Sequence, residues 1–458
     1  MTKTQLVLVQ IVFFVTIAFV QGRQNYHVIY QWNFIEPEWP NPETGEKSLN
    51  NGSYIPENNI ITGIKLWRDQ LYLSVPRLKS GVPATLTMIS SIPEQRPIET
   101  ESGLQNLNIV SPKLKPFPNW RMQRLGDCEA LQSVQSMEID PMGRMWLIDN
   151  GRTDIFTNKA NNTCPPRLVI LDLNAEGTLL KKYIFPKHVA DYNSVFLNDI
   201  VLDHEHGGFA YITDSGSKDP GLIVYSLATN LSWKIRHETM KNKNDTMNFS
   251  NGIDGIALSQ SSRYDRMVYY SSTLSLNVYS IPTGVLKSGL TNVNDFVKLV
   301  IRKKSPSSGM IMTSSGRLIY GLLANNSVVY LNKFSSNLPQ FIVSDLVDNN
   351  GNNNEVTILA HDDNILQWPD SFAIDDDNYL WCIANNWQNF LSNNIHLNST
   401  NFRVIKFLFR GRNYQYFDDG STPIVPLSQF SSSSSSLYGI PVSIRLNDGT
   451  FPIVNGDF

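Results

Sequence analysis

The sequence predicts an all-β fold, a six-bladed β-propeller of four-stranded blades, and three observations lead to it. A degenerate hairpin repeat recurs six times along the chain. No sustained 3.6-residue apolar periodicity occurs beyond the first 22 residues, so long helices are not expected. The composition, 41% hydrophobic, 17% charged and 11% aromatic over 458 residues, suits a large core assembled from many short strands.

Taken from the N-terminus, Lys3 followed by the apolar run Leu6 to Val20, with Val20 and Gly22 small enough for a cleavage site, reads as a secretory signal peptide over 1–22. The alternative, a membrane anchor, is disfavoured because the run falls short of the roughly 20 residues that span a bilayer. Residues 23–417 are then the propeller. "YHVIYQWNFI" from Tyr26 is a spare strand, expected to close the ring by pairing with strands from the C-terminal end.

The repeats themselves are "TGIKLWRDQLYLSV" from Thr62, "SMEIDPMGRMWLID" from Ser136, "DIVLDHEHGGFAYITD" from Asp199, "DGIALSQSSRYDRMVYYSS" from Asp254, "SGMIMTSSGRLIYGLL" from Ser308 and "DSFAIDDDNYLWCIA" from Asp370. Each places alternating apolar residues on both sides of a polar turn, the signature of a β-hairpin. Spacings of roughly 50 to 75 residues leave room for two further strands, such as "RLVILDL" and "LIVYSL". Four strands per unit make a propeller blade, and radial repetition protects the sheet edges. The Asn-rich stretch at 349–354 reads as a loop, and residues 418–458, with their run of serines at 431–436, as a flexible tail.

Charge and cysteines narrow the functional classes. A net charge of −3 offers no footprint for nucleic acid or an anionic membrane. Sequons at Asn51, Asn161, Asn230, Asn244, Asn248, Asn325 and Asn398 fit a secreted glycoprotein. Of three cysteines, Cys128 and Cys164 flank one hairpin in polar, turn-like settings and are the expected disulfide; Cys382, inside "YLWCIA", is expected to be a buried thiol. No GxSxG, HExxH, P-loop or zinc spacing is present.

The ordered set "NYHVIYQWNFI", "VPRLKSGVPATLTMIS", "GDC", "GRMWLIDNG", "LNDIVLD", "GLIVYSL", "GIDGIAL" with "YYSS", "LQWPDSFAIDDDNYLW" and "NFRVIKF" resembles the yellow and major royal jelly proteins of insects over nearly all the chain to Phe409. The resemblance implies a six-bladed propeller, secretion and an extracellular role. Two further cysteines found in many relatives are missing here: Met142 stands at one place, and none lies near His204 to His206.

Channel-facing residues are the place to look for a ligand in a propeller. Asn198, Asp199, Asp254 and Asp370 open inner strands and could hold a Ca2+ or simply cap strand ends. Some salivary members of the family bind biogenic amines, and the resemblance carries three of their contact positions onto Asp370, Asn385 and Trp387. Only Asn385 is identical, yet a carboxylate can pair with an ammonium and an indole can hold a cation or stack on an aromatic ring. The expected partner is therefore a small aromatic amine or catechol, with no cofactor. Relatives that convert dopachrome imply an enzyme as the alternative, although His27, His188, His204, His206, His237, His361 and His396 show no spacing that singles out an acid and base pair and are mostly expected in solvated loops. A nutritive or venom secretion is the third reading.

Overall fold

Each repeat folds as an antiparallel pair whose turn is set by a few polar residues. In the computed structural model, which describes residues 25–93, 111–242, 252–260, 266–272, 274–331, 356–417 and 419–423, the six repeats form the first two strands of six four-stranded sheets. The signal segment, Asn244, Asn248, both low-complexity stretches and most of the expected tail lie outside the described residues.

The first blade holds β2 (Gly63–Trp67), β3 (Gln70–Ser74), β4 (Leu86–Ser90) and β5 (Lys115–Pro116). The second holds β6 (Val134–Ile139), β7 (Arg144–Asp149), β8 (Arg167–Asp172) and β9 (Thr178–Ile184). Strands β10 (Leu197–Asp203), β11 (Phe209–Asp214), β12 (Gly221–Ser226) and β13 (Leu231–Ile235) make the third. The fourth contains β14 (Ile253–Leu258), β15 (Met267–Ser272), β16 (Asn277–Pro282) and β17 (Lys298–Arg302). In the fifth are β18 (Met310–Met312), β19 (Leu318–Leu322), β20 (Ser327–Leu331) and β21 (Val356–His361).

The sixth blade joins both ends of the domain. Strands β22 (Pro369–Ile374), β23 (Tyr379–Asn385) and β24 (Phe402–Arg410) are completed by β1 (Tyr26–Trp32), which pairs antiparallel with β24 from Tyr26 opposite Phe407 to Trp32 opposite Phe402. The expected ring closure is thus found. Trp32 anchors it, 2% exposed, with its indole N–H donating to the Pro112 carbonyl at 2.8 Å.

Hairpin turns share one device. Asp140, at the end of the first strand of its blade, accepts the backbone N–H groups of Met142 and Arg144 and the indole N–H of Trp146. Asp375 repeats this with Tyr379 and Trp381, and Asp203 with Glu205 and the Tyr211 hydroxyl. Each carboxylate pins its turn and a large second-strand ring. Gly143 takes φ +77° in the first of these turns, where a side chain would strike the Trp67 ring.

Blades pack face to face, so strands β6, β7, β10, β11, β12 and β14 are almost continuously buried rather than alternating with solvent. Burying a side chain such as Leu147 or Ile212 contributes about 1.5–3 kcal/mol. Buried Arg77 fastens the first blade to the second: its guanidinium donates to the carbonyls of Val82, Pro83, Gln123, Leu131 and Gln132. The disulfide forms between Cys128 and Cys164, across the loops that flank the β6–β7 hairpin, and Cys382 is a buried free thiol.

Candidate functional site

The first strands of the six blades, β2, β6, β10, β14, β18 and β22, each pack against the first strands of both neighbours and so ring a central channel. Hydrogen bonds belt this ring near the strand starts. Thr62 and Ser74 hydroxyls donate to the Gln135 carbonyl, Ser136 to Asp199, Thr213 to the Asp254 carbonyl, Ser308 to the Asp254 carboxylate; the Gly309 N–H donates to Asp370, and the Ile64 N–H to Ser371. Every junction between blades is bridged. Glycines let the strands close in, since a Cβ on Gly255 or Gly309 would run into the backbone of Ser308 or Asp370.

Pairing slips by a residue at the start of β6, β10, β14 and β22, between Val134 and Ser136, Leu197 and Ile200, Ile253 and Ile256, and Pro369 and Phe372. Such bulges re-aim side chains. The bulged residues include Gln135, Asp199, Asp254 and Asp370, so three carboxyls from three blades share one tier of the ring. Asp199 and Asp370 keep part of their surface open while lying deep inside the protein, and Asp254 is 6% exposed. Burial first, then the neighbouring Asp254, pushes the Asp370 carboxyl up to about 8. Burial likewise raises Asp199 to about 7, against the pull of the Lys65 ammonium. The carboxylate expected at Asp370 is therefore a protonated carboxyl at neutral pH when no cation accompanies it, because three like-charged groups in a desolvated ring cannot all ionise.

Above this tier sits an aromatic mouth. Phe196 immediately precedes β10 and Trp368 is two residues before Asp370; Trp387 begins a short helix, α1 (Trp387–Leu391), directly after β23, and Phe156 comes from the loop after β7. Ring centroids are 6.0 Å apart for Phe156 and Phe196, 6.1 Å for Phe156 and Trp387, and 6.3 Å for Trp368 and Trp387. Trp387 also stacks on buried Phe390 at 5.3 Å, so it is half core and half mouth. Trp368 adopts φ +46°, a conformation rare for a bulky side chain. Asn385, 1% exposed, donates to the Ile61 carbonyl at 2.6 Å, whereas its Oδ1 has no hydrogen-bond partner among the described residues. The structure thus brings Asp370, Asn385 and Trp387 to one end of the channel, with Asn385 recessed.

The opposite end is plugged. After β24 the chain crosses the channel axis: the Tyr414 hydroxyl accepts from Leu202 N–H and donates to Glu138, and Gln415 bonds the Ile139 carbonyl and His204. His204 is buried here rather than solvated, and burial lowers its pKa. Residues 419–423 are described, and the Phe417 N–H donates to the Ser421 carbonyl. Beside the plug lies a cavity of about 250 Å3 lined by Lys65, Glu138, Asp140, Asp375, Asp376 and Arg412, but by none of Asp370, Asn385 and Trp387. Most of its acids are already engaged, Glu138 with Lys65, Asp140 with Arg144 and Asp375 with Lys406. The mouth on the carboxyl tier is the better candidate site.

Among the described residues no three His, Cys, Asp or Glu side chains converge closely enough to hold a metal ion. Burial, and then Asp370, holds the Cys382 thiol well above its usual range, which leaves no nucleophile there. Sequence reasoning missed Phe156, Phe196 and Trp368. The last two stand directly before inner strands, a signal that was available; Phe156 carried none.

A family model described as Major royal jelly protein matches residues 132–410. The chain is 27% identical over 393 residues to "Protein yellow" of Drosophila erecta, covering 82% of this chain and 67% of that protein. It is 24% identical over 423 residues to a "Dopaminechrome tautomerase" of Drosophila melanogaster, covering 84% and 82%. Among solved structures, a gluconolactonase of Xanthomonas campestris superposes with a TM-score of 0.43 at 8% identity, over 86% of this chain and 92% of that one. Among the described residues no helix is long and apolar enough to cross a membrane.

Proposed function

The chain belongs to the major royal jelly protein family, and from that premise we propose that it is a secreted glycoprotein that takes a small aromatic amine into its channel, in an extracellular role connected with pigmentation. One observation carries this reading. Phe196 stands directly before the inner strand that carries Asp199 and Trp368 two residues before Asp370, with Phe156 and Trp387 packed between them, so a ring and an ammonium on the same small molecule each have a partner at one end of the channel. Export is supported by the N-terminal apolar segment and by the exposure of the described sequons at Asn51, Asn161, Asn230, Asn325 and Asn398.

Calorimetric titration of the purified protein with serotonin, dopamine and octopamine tests it. Saturable heat is expected, weakened by about 1.5–3 kcal/mol in Asp370→Asn, the scale of a charge-assisted hydrogen bond. Trp387→Phe should change affinity more than melting temperature; the reverse ranking returns Trp387 to the core. Heat from none of the three amines overturns the reading.

A second reading draws on the relative named dopaminechrome tautomerase, which matches most of both chains. Carboxyls that exchange protons near neutrality suit general acid and base work in a tautomerisation. Accelerated loss of dopaminechrome absorbance, falling about 100-fold or more in both Asp199→Asn and Asp370→Asn, is the expected result. A rate equal to buffer alone removes it.

A further inference from the structure

The groups that face the carboxyl tier are enumerable. Lys65 comes from β2, Glu138 from β6, Asp199 from β10, Asp254 from β14, Lys303 from the loop that leads into β18, Asp370 from β22 and Cys382 from β23. Four carboxyls thus stand against two ammonium groups. Lys65 is already committed, 3.3 Å from Glu138 and donating to the Phe372 carbonyl. Lys303 donates to the hydroxyls of Ser271 and Ser307. Neutral donors help hold the tier in place: Ser136 and the Ile200 N–H on Asp199, Ser308 on Asp254, and the Gly309 N–H on Asp370. Lys65 also pulls on Asp199 and Lys303, which burial lowers to about 7, on Asp254, yet two ammonium groups against four carboxyls leave the tier short of positive charge.

Two acceptors at the same end of the channel are left unpaired. Gln135 and Asn385 are 6% and 1% exposed, and Gln135 Oε1 and Asn385 Oδ1 have no donor among the described residues. A buried acceptor left unpaired is costly. The three carboxyls lie close enough to feel one another's charge, which suits a cation that carries several N–H donors.

We propose that this tier is a proton-exchanging cation site: one organic cation binds among Asp199, Asp254 and Asp370, one carboxyl O–H there ionises, and the proton leaves to solvent. The proposal rests on the reading of the channel as an amine site and adds how that site is regulated. Net charge is conserved in the tier, because a monocation takes the place of the proton and no second co-reactant is needed. Near neutrality the tier holds protons, through burial above all and then through mutual repulsion, Asp370 to about 8 and Asp199 to about 7. By linkage, affinity for a monocation rises with pH by up to about tenfold per unit while a full proton is released, and levels off once the tier is ionised. The protein would take up amine in a neutral or alkaline fluid and let go in an acidic one.

Titration calorimetry of the full chain with tryptamine, in phosphate and in Tris between about pH 6.5 and 8.5, reads the exchange directly, since the two buffers take up a released proton with different heats. Tryptamine stays charged over this range, and tryptophol, its uncharged alcohol analogue, serves as the control. Expected is an apparent enthalpy that differs between the buffers by close to one proton per tryptamine, no such difference for tryptophol, and a smaller release in Asp370→Asn. Asp199→Asn is the second variant should Asp370→Asn not fold. Tryptamine binding with equal heats in both buffers, in wild type, overturns proton exchange and leaves the amine reading standing. Absence of tryptamine binding at any pH overturns both.

Discussion

Replacing Asp370 by Asn tests the electrostatics of the channel without any ligand. Asparagine has the shape of the protonated carboxyl and keeps an acceptor for the Gly309 N–H, 3.2 Å away in the parent protein. In the folded chain Asp370 holds its proton up to about 8, whereas an unfolded aspartate loses it near 3.9. The folded state therefore binds more protons throughout the interval between those values, and the parent protein must lose stability as pH rises through it. The variant, which has nothing to titrate at that position, does not share this loss. Each pH unit inside the interval is worth about 1.4 kcal/mol for an isolated group. Going from about pH 5 to about pH 7 thus gives ~2.7 kcal/mol as a ceiling, and sharing of charge with Asp199 and Asp254 brings the expected difference to about 1–2 kcal/mol. Urea midpoints measured across this range, with slopes checked for constancy, should show two curves that meet toward pH 4 and separate above it, the variant being the more stable. Parallel curves, or a variant less stable by the same amount at every pH, would refute the argument that like charge and burial hold that proton.

Three further outcomes follow from the fold. Reducing the Cys128–Cys164 bridge, which spans a sequence separation of 36, should lower stability by roughly 4 kcal/mol on the loop-entropy scale, read as the shift in urea midpoint with and without reductant. Arg77→Lys should cost about 2–4 kcal/mol, because three ammonium donors cannot serve the five carbonyls that the guanidinium now bonds; a midpoint within error of the parent would show that water replaces it. Tyr414→Phe leaves the Leu202 N–H without its acceptor inside the plug and should cost about 1–3 kcal/mol in the same assay, whereas an unchanged midpoint would mean that the plug is not held by this hydrogen bond.

The hairpins were legible because both of their strands are short, apolar and joined by a turn whose residues are local. The Asp-to-Trp spacing of Asp140 and Trp146, repeated by Asp375 and Trp381, was likewise present in the sequence, though its meaning needed the hydrogen bonds. Outer strands were less legible: β9 buries none of its residues fully and β21 only Ala360, so neither carries a clean apolar alternation. Inner-strand acids could be nominated by position, but not their protonation, which depends on bulges that bring Asp199, Asp254 and Asp370 to one tier. Trp387 and Asn385 were nominated by resemblance, and Asn385 proves recessed. His204 read as a loop residue because the segment that covers it, around Gln415, lies more than two hundred residues further along the chain.

The sixth blade cannot exist until the chain is nearly finished. Strand β1 leaves the ribosome first, and its partner β24 among the last, so through most of synthesis the growing protein is an open arc with two unpaired edges. Contacts of such long range are slow to form. The arc is the species most exposed to pairing with a neighbouring chain, and the interval before β24 emerges is when chaperone binding would protect it most. Truncation anywhere ahead of Phe402 should accordingly yield aggregate instead of a smaller propeller.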